Sequence, residues 1–278
     1  MLALGAVGVA QAQDAFTLRR IFKMGETMTY NMAMTSETTV DISAFGQGEQ
    51  KTTFTQSGKI SFKTTKVDEA KKEANLEIKY FDIDMKMEGG MPGMGGDMPK
   101  EYSVMATMDS MNRIKDMKIE GMPGMLRMMS ESSMRQSLGG VQFPEAAVKV
   151  GDGWDVKVPK DGMMFDTDQV LKAKFLSVKD INGKKAYEIS VKGPLNLNMD
   201  LSKMMEQGGG DNPMAGMKMA ITGKMDNDSV VTIDAETGNF LIIDMKMTQE
   251  MTVDMVDMGV KLPMFGNTTS IIKASTIK

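Results

Sequence analysis

Apolar and polar residues alternate most regularly near the end of the chain, over residues 241–255. The odd-numbered positions of this stretch are apolar except for one glutamine, and most even-numbered positions are charged residues or threonine. An alternation sustained this long is typical of a β-strand with one buried and one solvated face. At about 3.3 Å per residue the strand would be roughly 50 Å long, two to three times the usual length. Such a strand predicts a large curved antiparallel sheet or a barrel.

The same alternation recurs along most of the chain. Residues 28–34 place three methionines and a tyrosine on one face, and similar runs follow up to a last strand at 268–277. Within residues 76–87 the apolar positions change parity after Tyr80, which is the effect of a β-bulge. Short turns between the strands favour antiparallel pairing. We therefore predict an all-β, mainly antiparallel fold, with one short-to-moderate helix near 124–138 that ends at a Gly-Gly pair.

Two stretches of the chain resemble each other at a constant offset. Gly25 and Gly151 lie in similar turns 126 residues apart, and Asp109 and Asp234 end similar strands 125 residues apart. A repeated offset indicates a duplicated unit. The sequence thus predicts a first β-rich unit at 13–140 and a second at 141–278, as two related curved sheets or half-barrels packed into one continuous structure. A plain β-sandwich is the alternative architecture.

The first twelve residues form a short apolar run that ends in Ala-Gln-Ala. This pattern is typical of the end of a secretory signal peptide, with an A-x-A cleavage site. No later apolar run approaches the roughly 20 residues of a membrane helix. We therefore expect a soluble, exported protein, periplasmic or extracellular, without an integral membrane segment in its mature form.

Composition narrows the chemistry further. The chain has no cysteine and no histidine, and its net charge is −4. Without these residues it lacks thiolate ligands, the commonest general base and the commonest transition-metal ligand. The near balance of charges argues against nucleic-acid binding, which needs a basic face. We expect a non-catalytic protein without a cofactor.

The chain contains 34 methionines, far more than usual. Most of those in strands share a register with Ile, Val and Leu, which is the pattern of core residues. Two glycine- and proline-rich segments carry clusters of thioethers, which are soft ligands suited to copper(I) or silver(I). The candidate metal ligands are Met91, Met94, Met98, Met122 and Met125. Their replacement by leucine should abolish copper(I) binding and leave lipid binding nearly intact.

A second interpretation uses the strand methionines. Methionine is flexible and polarizable, so a curved sheet lined by it would offer an adaptable apolar surface to a lipid, an acyl chain or a partner protein. The candidate ligand-binding residues are Met245, Met247, Met251, Met85, Met87 and Trp154. Trp154 is also interpreted as a core anchor after a tight turn. A structural or interaction role without a small ligand is the third alternative.

One acidic triplet, Asp226-Asn227-Asp228, has some features of a calcium-binding loop. It lacks the glycine and the distal glutamate of that motif, so we predict a hairpin turn there instead.

Three short motifs carry a family resemblance. They are F-K-x-G-E at Phe22–Glu26 before the strand with Tyr30, K-V-G-D-x-W at Lys149–Trp154, and D-x-x-T-G at Asp234–Gly238. This arrangement, over about 16–256, resembles uncharacterised exported bacterial β-rich proteins of unknown function. That family is distantly similar to the LolA/LolB-like periplasmic lipoprotein carriers. The resemblance implies a half-barrel fold and supplies no catalytic residues.

Overall fold

The computed structural model describes residues 14–89, 100–120, 134, 141–202 and 218–275. Within them the chain forms eleven strands: β1 (Thr27–Asp41), β2 (Glu49–Asp68), β3 (Glu73–Gly89), β4 (Tyr102–Asp109), β5 (Ile114–Glu120), β6 (Gly153–Val158), β7 (Gln169–Ile181), β8 (Lys184–Asp200), β9 (Met219–Asp234), β10 (Phe240–Met255) and β11 (Val260–Ala274). Short 3-10 helices follow β1 at Ser43–Phe45 and β10 at Val256–Met258. The predicted all-β class is confirmed, and so is the long strand, which is β10.

All eleven strands belong to one antiparallel sheet, in the order β5-β4-β3-β2-β1-β11-β10-β9-β8-β7-β6. The first and last strands pair in the middle, so β5 and β6 form the two edges of the described sheet. The predicted units therefore lie side by side, with β1–β5 from the first and β6–β11 from the second. In both halves the strand numbers decrease in the same direction across the sheet, from β5 to β1 and from β11 to β6.

One row of directly opposed residues crosses nine strands, from β3 at one end to β6 at the other. Its members are Met85, Gln56, Met34, Ser270, Met245, Ser229, Val191, Ala173 and Trp154. Opposed residues project from the same face of a sheet. Because Val191 and Ala173 are buried in the main core, this is the inner face.

The sheet curls around its inner face. Val104 lies on β4 and Phe175 on β7, which are each the second strand from one of the two opposite edges. Both residues nevertheless belong to one buried core cluster. Residues 14–24, here called the lead segment, connect the two halves. Arg20 N donates to Ser110 O in the β4–β5 turn at 2.7 Å, and Ile21 N donates to Thr237 O in the β9–β10 turn at 2.8 Å. Two adjacent residues reach both turns only because the sheet is strongly curved.

A β-bulge in β3 adds to this curvature. Lys59 opposes Phe81 and Ser57 opposes Asp84, so β3 carries one extra residue at this point. Asp82 has a φ of 53° there. The bulge lets both Tyr80 and Ile83 face the core despite their opposite parity. The predicted change of phase is confirmed.

The two similar turns have the same hydrogen-bond pattern. Gly25 N donates to Thr64 O at 2.9 Å, and Gly151 N donates to Phe175 O at 2.8 Å. Both glycines have positive φ, 78° and 97°, which favours glycine at these positions. The duplication of the whole unit stays a prediction.

Several sequence predictions fall outside the described residues, namely the signal segment 1–12 and most of the helix at 124–138. Met134, the described residue of that helix, is helical and buried in the main core. Among the described residues there is no helix long and apolar enough to cross a membrane.

Candidate functional site

Halfway along the central strands β1 and β10, the inward residues of the sheet change from buried to partly exposed. We use the name inner-face track for eleven inward positions on four adjacent strands: Met34 and Ser36 of β1, Gly266, Thr268 and Ser270 of β11, Met245, Met247, Gln249 and Met251 of β10, and Asn227 and Ser229 of β9. Its four methionines share the face with glycine and with hydroxyl- or amide-bearing residues. The track is thus an apolar surface with polar groups at fixed places.

The track lies between two separate hydrophobic clusters. The main core fills one end of the sheet, with fully buried residues such as Tyr30, Ile60 and Ile233. A small rim cluster of Ile42, Met255 and Leu262 closes the other end. On β10, Met247 and Met251 pack against the main core, yet they and Met245 are only partly buried. Part of this apolar surface is therefore left open.

Hydrogen bonds fix the polar side chains of the track. Ser36 Oγ and Thr268 Oγ1 lie 2.9 Å apart across β1 and β11. On β9, Ser229 donates to Asn227 Oδ1 at 2.9 Å, and Asn227 Nδ2 donates to Val191 O at 2.8 Å. Because each pair restrains its side chains, the polar groups are preorganised.

The prediction of a hairpin turn at Asp226-Asn227-Asp228 is wrong, because these residues lie inside β9. Asn227 faces inward and is 8% exposed. The flanking aspartates face outward, where Asp226 pairs with Lys224 at 3.0 Å and Asp228 with Lys192 at 2.8 Å. The local composition resembled a turn, but one ion pair within β9 and one across to β8 account for both charges.

The structure places the predicted ligand-binding residues on one face of the sheet. Met245, Met247 and Met251 are adjacent inward positions of β10. Met85 and Met87 lie at the same height on β3, four strands away and thus about 19 Å along the sheet. Trp154 lies four strands away on the other side, at the β6 edge. Only the three β10 residues belong to the track.

Trp154 has a structural role in this fold. Its indole Nε1 donates to Gln142 O at 2.7 Å, and its ring packs partly against the main core. The interaction ties the edge strand β6 to the segment that precedes it. A buried tryptophan usually finds such a partner for its N–H group.

The five predicted metal ligands, Met91, Met94, Met98, Met122 and Met125, lie outside the described residues. Within the described part of the chain there is no group of three or more His, Cys, Asp or Glu side chains placed to hold a metal ion.

A second concave feature lies beside Arg20. Its lining residues are Arg20, Phe22, Glu26, Met28, Phe62, Thr64, Leu76 and Asn239. The space open to the centre of a water-sized sphere is about 10 Å³. This is enough for about one water molecule. The cleft is too small for an organic ligand, and the inner-face track is the stronger candidate.

Comparison with known proteins gives a fold likeness. No protein-family model matches the chain, and no curated protein matches it. A solved structure titled "Lipid-protein interactions in lipovitellin" aligns with a TM-score of 0.51 and 11% identity, over 92% of this chain and 26% of the lipovitellin chain. The chain thus spans about a quarter of that protein. At this identity the likeness shows a shared sheet architecture.

A second solved structure, DynF from the dynemicin biosynthesis pathway of Micromonospora chersina, aligns with a TM-score of 0.21 and 11% identity. It covers 97% of this chain and 92% of the other. A TM-score this low carries no structural argument.

The polar members of the track were not identified from the sequence. Thr268 and Ser270 lie in a strand where serine and threonine occupy both faces, so their alternation gave no signal. The pairing register reveals them, because it sets Ser270 between Met34 and Met245, and Thr268 between Ser36 and Met247.

Proposed function

We propose that the protein binds an apolar molecule, a lipid or acyl chain, non-covalently on the inner-face track, without catalysis. The observation that carries this proposal is the incomplete burial of Met245, Met247 and Met251 on the core side of the sheet. Leaving apolar side chains partly in water forgoes about 25 cal/mol for each Å² that remains exposed. A ligand that covers them recovers this free energy.

The chemistry of the track supports a small apolar ligand. Ligand sites are concave, mostly apolar, and contain a few fixed polar groups. The track combines flexible thioethers with the preorganised pairs Ser36–Thr268 and Asn227–Ser229. Methionine surfaces adapt to ligands of different shape. The fold likeness to lipovitellin, whose structure is titled for its lipid–protein interactions, agrees with this proposal.

A titration with a fluorescent acyl-chain probe tests the proposal. The variant carries Met245→Gln, Met247→Gln and Met251→Gln, which keep side-chain length and add polarity. We expect at least about tenfold weaker binding, since three apolar contacts are lost.

The matched control carries the same change at exposed methionines, Met24→Gln, Met105→Gln and Met258→Gln. These residues are 71%, 37% and 45% exposed. The control should bind as the wild type does. Equal loss in both triple variants, or no binding by the wild type, would contradict the proposal.

A further inference from the structure

The end of the sheet that holds the rim cluster carries two adjacent hairpin tips. One joins β1 to β2 through the 3-10 turn Ser43–Phe45, and the other joins β10 to β11 through the 3-10 turn Val256–Met258. The residues that directly precede the two turns, Ile42 and Met255, lie in the rim cluster together with Leu262. This shared cluster holds the two tips side by side.

Each tip leaves large apolar side chains in solvent. Phe45 is 48% exposed in the first tip, and Val256 and Met258 are 54% and 45% exposed in the second. Single exposed apolar residues are common on protein surfaces, whereas a cluster of them marks an interaction site. We call these three side chains the tip triad.

The backbone of both tips forms hydrogen bonds within the protein. Phe45 N donates to Ile42 O at 2.9 Å in the first tip. In the second, Val256 N donates to Lys218 O at 2.9 Å and Gly259 N donates to Val256 O at 3.2 Å. An apolar lipid environment cannot supply hydrogen bonds, so it admits backbone groups at low cost only where they already have partners. These groups of the two tips meet that condition.

The carboxylates beside the tip triad also have partners. Asp41 Oδ1 accepts a hydrogen bond from Ser43 N at 2.9 Å. Asp257, between the two triad residues of the second tip, accepts one at Oδ2 from Lys218 N at 2.8 Å. Both carboxylates thus bond back to the backbone of the protein. The triad can therefore contact a lipid surface while each of these carboxylates keeps a hydrogen-bond partner.

The charge of the tips selects the kind of lipid surface. The charged residues of 41–49 and 254–261 are Asp41, Glu49, Asp254, Asp257 and, as the one basic residue, Lys261. Anionic membranes attract segments rich in Lys and Arg, so they repel acidic tips. A bilayer of zwitterionic lipids has no net charge and does not oppose the apolar contact.

We infer that the tip triad inserts into the surface of an uncharged lipid bilayer and docks the protein there. The partner is a bilayer rather than a protein, because lipid chains rearrange around separate protruding side chains, whereas a protein would need a pocket for each. Three partly exposed side chains bury little apolar area, so the docking is weak and reversible. This inference concerns a second surface and goes beyond the proposed function.

Sedimentation with vesicles of phosphatidylcholine tests the docking. The tip variant carries Phe45→Ser, Val256→Ser and Met258→Ser. The matched control carries the same change at exposed residues of the same three types on the outer face of the sheet, Phe265→Ser, Val170→Ser and Met105→Ser. These residues are 55%, 44% and 37% exposed. We expect the tip variant to bind vesicles at least about tenfold more weakly than the wild type, and the control to bind as the wild type does.

Three results of this experiment would overturn the inference. They are no vesicle binding by the wild type, equal loss in the two triple variants, and binding that requires an anionic lipid such as phosphatidylglycerol. Self-association of the wild type that only the tip variant abolishes, without vesicle binding, would also overturn it, since a second copy of the chain would then cover the triad.

A gain of signal tests the orientation without removing apolar residues. Phe45→Trp and Phe265→Trp each add one indole to Trp154, at a tip and on the outer face respectively. Phosphatidylcholine with brominated acyl chains quenches an indole that enters the bilayer. We expect it to lower the fluorescence of Phe45→Trp clearly more than that of Phe265→Trp or the wild type. Equal quenching in all three proteins would show that the tips do not enter the bilayer.

Binding of the soluble acyl-chain probe separates this inference from the proposed function. The tip variant leaves the inner-face track unchanged, so it should bind the probe as the wild type does. Vesicle binding by a wild type that does not bind the probe would overturn the proposed function and support the docking. Probe binding by a wild type that does not bind vesicles would overturn the docking alone.

Discussion

The guanidinium of Arg20 donates a hydrogen bond from Nη1 to Asn112 Oδ1, 3.1 Å away, in the interior of the protein. Arg20 is 4% exposed and Asn112 is 0% exposed. Within the described residues Arg20 forms no ion pair; instead, Phe22, Phe62 and Phe240 lie 5.5, 5.8 and 5.5 Å from its Cζ atom. Three aromatic rings thus offset part of the cost of burying the cation. The contact fixes the lead segment between the two halves of the sheet.

Replacement of Arg20 should destabilise the fold. Arg20→Ala removes the cation–π contacts and leaves Asn112 Oδ1 without its partner, so we expect the free energy of unfolding to fall by about 3 kcal/mol. Arg20→Met keeps most of the packing and should cost only about 1 kcal/mol. Urea denaturation measures both values.

The control for this prediction is Lys23→Ala, at an exposed position of the same segment. It should change the free energy of unfolding by less than about 0.5 kcal/mol. If Arg20→Ala is as stable as this control, the lead segment does not depend on the buried guanidinium.

Gly238 is a second position where the lead segment meets a turn. Its φ is 69°, and a Cβ there would overlap the backbone carbonyl of Arg19. Gly238→Ala should therefore lower the free energy of unfolding by at least about 3 kcal/mol. Gly259 has a similar φ of 64° but nothing within 4 Å of an added Cβ, so Gly259→Ala should cost only about 1 kcal/mol. Equal losses would mean that only backbone strain matters at Gly238.

Ionisation of the buried Tyr30 phenol should lower the stability of the fold in alkaline solution. Burial raises the pKa of Tyr30 from 10.0 to about 12. The folded state thus holds the phenol proton more tightly than the unfolded chain does. The resulting contribution is complete below pH 10 and is lost as the pH rises through about 12. It amounts to at most about 3 kcal/mol.

Urea denaturation at pH 8, 10 and 12 measures this effect. The wild type should lose more stability between pH 10 and 12 than Tyr30→Phe, which has no proton to release. Parallel losses in the two proteins would show that Tyr30 ionises as freely in the folded state as in the unfolded state.

Peroxide should oxidise the methionines in order of exposure. Met24 is 71% exposed and Met108 is 0% exposed, so peptide mass spectrometry should find sulfoxide at Met24 first and at Met108 last. The half-buried Met247 should react at an intermediate rate, and more slowly once a ligand covers it. Uniform rates at all three sites would contradict the described burial.

The sequence pattern predicted some strands more completely than others. For β10 the alternation determined both the element and its inward residues, because all but one of the alternate residues in 241–255 are charged or threonine. For β11 the prediction began at 268, whereas the strand starts at Val260. Pro263, Gly266 and the mixed Ser/Thr pattern hid the strand, although Pro263 faces outward and is exposed.

Only part of the candidate site could be predicted from the sequence. Met245, Met247 and Met251 were identified because they share one strand. Met85 and Trp154 also project from the inner face, but each lies four strands from β10, a distance that depends on the strand order. Ser36 and Thr268 are 232 residues apart along the chain, and their contact depends on the pairing of the first and last strands. No local pattern encodes that pairing.

The most direct test of ligand binding on the inner-face track is photo-crosslinking with an alkyl-chain probe that carries a diazirine, followed by peptide mapping of the labelled residues. We expect adducts on the inner face of β10, at or beside Met245, Met247 and Met251. Phe265 and Ile271, which are 55% and 51% exposed on the outer face of β11, serve as internal controls and should remain unlabelled. Labelling that concentrates on these two residues, or that is spread evenly over both faces, would contradict ligand binding on the inner-face track.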